Sequence, residues 1–337
     1  MKIGIIAPPW LPVPPRRYGG IEVMIDGLAR GLKNLGHEVI LVSSKSSTCP
    51  VSRIGIGTGP SGHDQMGDAM VEIPYTLRAY AALEGLGVDV IHDHTPTGFL
   101  SVESPIPVVT TNHNLFDEDR NLIFSEAAAR SIPVIAISED HAGRAGLGTV
   151  DRVIYHGIDV DQFPVGPGDG GYLLTLGRMS PTKGVREAIL VAMETDMPLM
   201  IAARMQEPGE RAYFDREVRP LLDNGKIEYL GEVSWKEKIE LLGHATALIN
   251  PIQWPEPFGL VMIESMACGT PVLSTPYGSV PEIIDHGRTG YLAEAALGNA
   301  VSLAKDLDRA QCRLAVEERF SIERMARDHV ALYEEIS

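Results

Sequence analysis

Three cysteines in 337 residues, Cys49, Cys268 and Cys312, are too few for a disulfide framework, and no two stand in CxxC spacing. That scarcity argues against a cystine-stapled secreted scaffold and fits buried thiols in a reducing compartment. Basic residues are also short: 29 Lys and Arg stand against 45 Asp and Glu, a net charge of −16. Nucleic-acid binders carry basic faces, so the balance argues against that partner. The deficit is shared, with 12 against 19 up to residue 165 and 17 against 26 after it. Neither half therefore offers a broad basic face to anionic lipid, although Arg16 and Arg17 form a local patch. No apolar run approaches the ~20 residues of a membrane span. The opening run, residues 1–7, is too short for a signal peptide, and a cytoplasmic protein is expected. No internal repeat is found. No G-x-G-x-x-G follows the first strand pattern, which argues against a dinucleotide fingerprint there.

The length favours two domains, and 44% hydrophobic with 22% charged residues is an ordinary globular composition. Short apolar runs alternate with longer helical patterns, the βαβ rhythm of parallel sheets covered on both faces. The first unit is clearest. A strand over residues 2–7 leads into a Pro-rich loop, then a helix over 20–35 whose Ile21, Ile25, Leu28, Leu32 and Leu35 share one face. A strand over 38–43 follows. Residues 45–69, rich in Ser, Gly and Thr, read as a mobile loop. Helix returns over 74–84, followed by strands over 89–92, 108–111 and 134–138. The Pro/Gly-rich stretch 163–171 reads as a linker and hinge. A second alternating series runs from Tyr172 to about Arg309, and the last helix covers 322–336. Two doubly wound sheets with a ligand cleft at their strand ends are expected.

Four places carry chemistry. Glu256 and Glu264 flank the start of a helix that Gly269 stops, with a strand over 271–274 behind it. Pro255 and Pro257 fit just before a helix. Backbone N–H groups at Gly259 and Leu260 would then point outward, where a phosphate is favoured. Glu264 lies about 7 Å further along the axis, placed to accept hydrogen bonds from a sugar. Its position inside an apolar run argues against simple solvation. Second, Arg178 and Lys183 stand in a strand–turn–helix context, a planar fork and a point charge suited to two phosphates. Third, Gly19 and Gly20 open the first long helix and would let backbone approach a ligand. Fourth, His92, His94 and His113 end short strands, suited to proton handling or acceptor binding at a cleft. The Asp-x-Asp pairs 117/119, 159/161 and 306/308 are weak metal signals.

Together these segments resemble the family 4 retaining glycosyltransferases over nearly the whole chain. The stretch from Glu256 through Phe258 to Glu264 is similar to that family's E-x7-E motif. Arg178 and Lys183 resemble its phosphate-binding pair, Gly19–Gly20 its glycine loop, and His94 and His113 its histidines near donor sugar and acceptor. His156-Gly-Ile-Asp159 and the stretch from Gly278 to Glu282 resemble its N-G-V-D and G-x-P-E segments. The resemblance implies an α/β GT-B fold of two Rossmann-like doubly wound domains, 1–165 and 166–319, facing a central cleft. Residues 320–337 would form a helix crossing back to the first domain. It implies retaining transfer from a nucleotide-diphosphate sugar, UDP-linked by expectation, to a hydroxyl acceptor, with neither metal nor other cofactor. Arg178, Lys183, Gly259 and Leu260 would hold the diphosphate, Phe258 would line the donor site, Glu264 would bind the ribose, and Glu256 the donor sugar. A soluble saccharide or specialised metabolite, such as an antibiotic intermediate, is the expected acceptor. A cell-envelope lipid or polysaccharide is the alternative, and a non-catalytic nucleotide-sugar-binding module the rival of another class.

Overall fold

A computed structural model describes residues 1–17, 19–57 and 66–337, the side chains of Ser101, Asp223 and Asn224 excepted. It divides into two compact units, Met1–Ile158 with Ser321–Ser337, and Asp159–Phe320. Each is built on a parallel sheet whose strands are buried apolar runs.

In the first unit the strands are β1 (Lys2–Ile6), β2 (Glu38–Ser44), β3 (Ser52–Ile56), β4 (Val90–Asp93), β5 (Val108–Thr111), β6 (Val134–Ala136) and β7 (Arg152–Val153). Their spatial order is β3-β2-β1-β4-β5-β6-β7. The order reverses between β1 and β4, and in such sheets the ligand crevice opens at the carboxyl ends of the strands flanking that switch. The helix Gly20–Asn34 buries Met24, Ile25, Leu28 and Leu32 against the sheet. Its outer glycines admit the closing helix Ile322–Ile336. A Cβ on Gly31 would lie 2.9 Å from the Ala326 methyl and 3.0 Å from the Ile322 carbonyl oxygen.

Two differences from the sequence reading stand out. Residues 45–69 are not simply a loop, because β3 forms within them and pairs with β2 from Ile40↔Ser52 to Ser44↔Ile56. A five-residue edge strand with only two apolar residues, Ile54 and Ile56, set in a Ser- and Gly-rich stretch, has little apolar signal. Residues 58–65 of that stretch lie outside the described residues. The following helix begins at Ala69 rather than Pro74, because the Asp68 side chain accepts from the Met70 N–H at 2.8 Å and caps it early.

The second unit contains β8 (Leu173–Arg178), β9 (Leu199–Arg204), β10 (Ile227–Tyr229), β11 (Ala247–Asn250), β12 (Val272–Ser274) and β13 (Gly290–Leu292), in the order β10-β9-β8-β11-β12-β13. Its switch point lies between β8 and β11. The stretch read as a hinge is bound into this unit: Gly166, Gly168 and Gly170 donate backbone hydrogen bonds to Cys268, Gly243 and His244 at 3.0, 3.0 and 2.9 Å. The Arg309 guanidinium adds a bond to the Gly166 carbonyl at 2.9 Å. A glycine is required here by close approach, since a Cβ on Gly166 would lie 2.2 Å from the Gly243 carbonyl oxygen.

Candidate functional site

In the second unit, the two loops flanking the β8/β11 switch point carry most of the residues singled out from the sequence. After β8 the chain passes Arg178, makes a tight turn at Pro181–Lys183, and reaches Gly184 at φ +66°. A Cβ on Gly184 would lie 1.9 Å from the Pro251 carbonyl oxygen on the loop after β11. The Gln253 N–H donates to the Thr182 carbonyl at 2.9 Å. Backbone contact thus fixes one loop on the other. Lys183 bridges them through an ion pair with Glu256, and its ammonium lies 5.4 Å from the centroid of the Trp254 ring. The Trp254 indole N–H donates to the same Glu256 oxygen, Oε2, at 2.9 Å. Oε1 has no hydrogen-bond partner among the described residues.

A third loop holds Glu256 from behind. Gly278, at φ +65°, packs so closely that a Cβ would lie 2.3 Å from the Glu256 nitrogen. The Ser279 N–H donates to the Glu256 carbonyl at 2.9 Å, and its hydroxyl to the Phe258 carbonyl at 2.7 Å. The Phe258 ring is buried 5.9 Å from that of Phe320, so it is the backbone of Phe258 that faces the loop.

Gly259, at φ +83°, turns the chain into the helix Leu260–Ala267. The N–H groups of Gly259 and Leu260 have no hydrogen-bond partner among the described residues. One turn in, Glu264 is buried, and Lys238 donates to its Oε1 at 2.6 Å. Lys238 is steadied over the Trp235 ring at 4.2 Å. Arg178 is half-buried, and its guanidinium has no partner among the described residues. The unit therefore offers an open guanidinium, an ammonium, free N–H groups at a helix start, and two carboxylates each with one oxygen engaged. That set fits an anion flanked by hydroxyls.

Lys238, Trp254 and the Gly278–Ser279 buttress escaped the sequence reading as site residues. Lys238 carries no local signal, and only the capping box formed by Ser234 and Glu237 announced its helix. Trp254 and Gly278 gain their roles through contacts distant in sequence.

In the first unit, the His94 N–H donates to the Ile6 carbonyl at 3.0 Å, tying the end of β4 to β1 beside the switch point. His94 Nδ1 lies 2.9 Å from His113 Nε2, one hydrogen bond between two imidazoles. His94 Nε2 and His113 Nδ1 are buried without a partner among the described residues. Burial pushes the His94 pKa well below its ordinary value and that of His113 down to about 3, with neighbouring imidazoles adding to the effect. Both rings are neutral at pH 7. His113 stacks on His156 at 5.4 Å.

His92 is different. It is fully buried, and its two nitrogens are bonded to the Tyr333 and Thr111 hydroxyls at 2.7 and 2.8 Å. The expectation that it faces a cleft is corrected: it is a satisfied core histidine. Gly19 is extended at φ 163°, and what requires glycine is space, since a Cβ would lie 2.8 Å from Glu22 Oε2 and 2.9 Å from Pro15 Cβ. Gly20 is the first helical residue, and Tyr18 lies outside the described residues. Two of the Asp-x-Asp pairs supply helix caps, Asp117 to Arg120 N–H and Asp308 to Ala310 N–H, each at 2.9 Å. Among the described residues, no group of three His, Cys, Asp or Glu side chains is arranged to hold a metal ion, and no helix is long and apolar enough to cross a membrane.

Residues 160–312 match the family described as Glycosyl transferases group 1, and residues 18–162 match Glycosyltransferase Family 4. The N-acetyl-alpha-D-glucosaminyl L-malate synthase of Bacillus anthracis is 38% identical over 297 residues, covering 78% of this chain and 73% of that protein. Among solved structures, AviGT4, a glycosyltransferase involved in avilamycin A biosynthesis, superposes with a TM-score of 0.77 at 23% identity, covering 99% of this chain and 97% of that one. The Anabaena protein HepE in complex with UDP and glucose superposes at 0.75 with 17% identity, covering 99% of both chains. The shared two-unit architecture is the GT-B fold.

Proposed function

The chain belongs to the family 4 glycosyltransferases, and from that premise we propose that it moves a sugar from a UDP-linked donor to a hydroxyl of a soluble acceptor, with retention of anomeric configuration. The observation that carries this reading is the Lys183–Glu256 pair beside Arg178 and the open helix start at Gly259, all flanking the β8/β11 switch point. Arg178, Lys183 and the N–H groups of Gly259 and Leu260 take the diphosphate and stabilise the charge that develops on it as the sugar–phosphate bond breaks. They supply this without a metal or other cofactor. Glu264 uses its unengaged oxygen for the ribose hydroxyls, and Glu256 uses its own for hydroxyls of the transferred sugar. Phe258 acts through its backbone. Gly19 and Gly20 belong to the donor side of the first unit, and His94 with His113 to the sugar and acceptor. The transfer is read as front-face, with the leaving phosphate helping to take the acceptor proton. The UDP complex of HepE supports the choice of base, and the biosynthetic role of AviGT4 supports a specialised-metabolite acceptor. A cytoplasmic setting fits an activated-sugar donor.

The test is a thermal-shift panel of nucleotides and nucleotide sugars, followed by donor hydrolysis and transfer by the wild type, Glu256→Ala and Lys183→Ala. A UDP-sugar should stabilise the protein and turn over, and both variants should lose turnover. Wild-type rates in both variants would remove the site assignment. Tight UDP binding with no product across the panel would leave a binding module. NMR of the product's anomeric proton checks retention, and an unchanged rate in EDTA checks metal independence.

A further inference from the structure

Glu22 is a buried carboxylate with no counterpart of opposite charge among the described residues. It lies in the first turn of the helix Gly20–Asn34 and is only 5% exposed. The other buried acids of this unit are spoken for. Asp93 accepts from the Thr95 N–H, the Thr95 hydroxyl and the Tyr80 hydroxyl. Glu72 accepts from the Thr97 hydroxyl, and Asp26 pairs with Arg30 through Oδ2, its Oδ1 alone lacking a hydrogen-bond partner among the described residues. Glu22 is bonded only to its own backbone N–H, and burial pushes its carboxyl up to about 7 with no cation opposing the effect. Leaving a carboxyl so placed costs free energy unless a ligand uses it.

Its position gives that cost a purpose. The loop leaving β1 leads to Glu22, and β1 is one of the two strands flanking the switch point of this unit. The glycine at position 19 leaves the volume that Glu22 Oε2 approaches. At the end of the other flanking strand, β4, stands His94 with its unpartnered Nε2, bonded in turn to His113 with its unpartnered Nδ1. Among the described residues, the buried side chains named on these two flanking segments are one carboxyl and two neutral imidazoles. Arg16 and Arg17 are the cations of the same loop, and both are exposed. The helix start, where an anion would otherwise be favoured, already carries a carboxylate.

We propose that Glu22 selects the acceptor, accepting a hydrogen bond from an uncharged hydroxyl-bearing molecule and turning away an anionic one. This rests on the glycosyltransferase reading and adds to it the charge class of the acceptor and the residue that reads it. The hydroxyl keeps its proton in this contact, so no bond is made or broken at Glu22.

Methanol and azide are small neutral and anionic acceptors, and neither requires the natural acceptor to be known. Wild type and Glu22→Gln are compared with UDP-glucose, or the nucleotide sugar the wild type hydrolyses best, and methyl glycoside and glycosyl azide are quantified. At pH 8, where a carboxyl raised to about 7 is ionised, removing one like charge should raise the azide-to-methanol product ratio by about tenfold, with the donor KM unchanged and the melting temperature no lower than that of the wild type. An unchanged ratio in Glu22→Gln overturns the proposal. So does a shift of that ratio in Arg16→Ala with none in Glu22→Gln, which assigns selection to the exposed loop. A wild type that binds and turns over no nucleotide sugar is a different result, overturning the glycosyltransferase reading and this inference with it.

Discussion

Glu256 and Glu264 have seven residues between them in one loop–helix segment, yet the structure surrounds them differently. Glu256 shares an oxygen with Lys183 and Trp254, and Glu264 is held by Lys238. Glu256→Ala should lower kcat by about 100-fold, the scale of a lost transition-state contact, with UDP affinity little changed. Glu264→Ala should weaken UDP binding about tenfold or more and spare kcat at saturating donor, as a lost charged hydrogen bond would. Calorimetric UDP titration and steady-state kinetics separate the two. The buried histidines make a second prediction. His92, His94, His113, His141, His156 and His329 are all held below their ordinary values by burial. The unfolded chain therefore binds more protons below pH ~6.5, and stability falls as pH drops from there toward the folded values. Glu22 and Asp93, raised to about 7 and about 6, and Glu72, also raised by burial, act in the opposite sense but are fewer. The melting temperature of the first unit should drop by about 10 °C between pH 7 and 5.5, and a flat profile would show that the cluster is solvated. The two glutamates, Arg178 and Lys183 were legible because their residue types and spacing carry the chemistry. Lys238, Trp254 and Glu22 were not, because a lone lysine, tryptophan or glutamate means nothing until the fold supplies its neighbours.

Among the elements, the loops after β8 and β11 depend on glycines whose reason is steric. Gly184→Ala would put a Cβ against the Pro251 carbonyl at positive φ, and Gly278→Ala would put one against the Glu256 backbone. Each should destabilise the second unit by roughly 2 kcal/mol or more and reduce turnover, because the displaced loop carries Lys183 or Glu256. Thermal melts with activity assays check both effects. Alanine variants that keep wild-type melting would show that these loops yield. Long periodic elements were easy to read. The first helix ends within one residue of its expected stop, and the last helix, Ile322–Ile336, has the expected bounds. The polar edge strand β3 and the early start at Ala69 were hidden, since one has a weak apolar pattern and the other is set by a cap ahead of a misleading Pro74.

At the scale of the whole molecule, the two-sheet architecture followed from the alternation of apolar runs, while the unit boundary did not follow from composition. Glycine and proline marked residues 163–171, but that segment is docked by backbone hydrogen bonds into the second unit. The chain passes between units at Ile158/Asp159 and again at Phe320/Ser321. Ile322, Met325, Leu332 and Tyr333 complete the hydrophobic core of the first unit. A chain ending at Phe320 should therefore lose the calorimetric transition of the first unit and keep that of the second, and retention of both would contradict this division. The same connectivity sets an order of events at the ribosome. The first unit, though its sheet is made earliest, lacks a wall of its core until Ser321–Ser337 is available. Of the two units, the one whose sheet is synthesised first cannot complete its core until Ser321–Ser337 emerges, and until then its helix Gly20–Asn34 presents an uncovered apolar face to the chaperones of the cell.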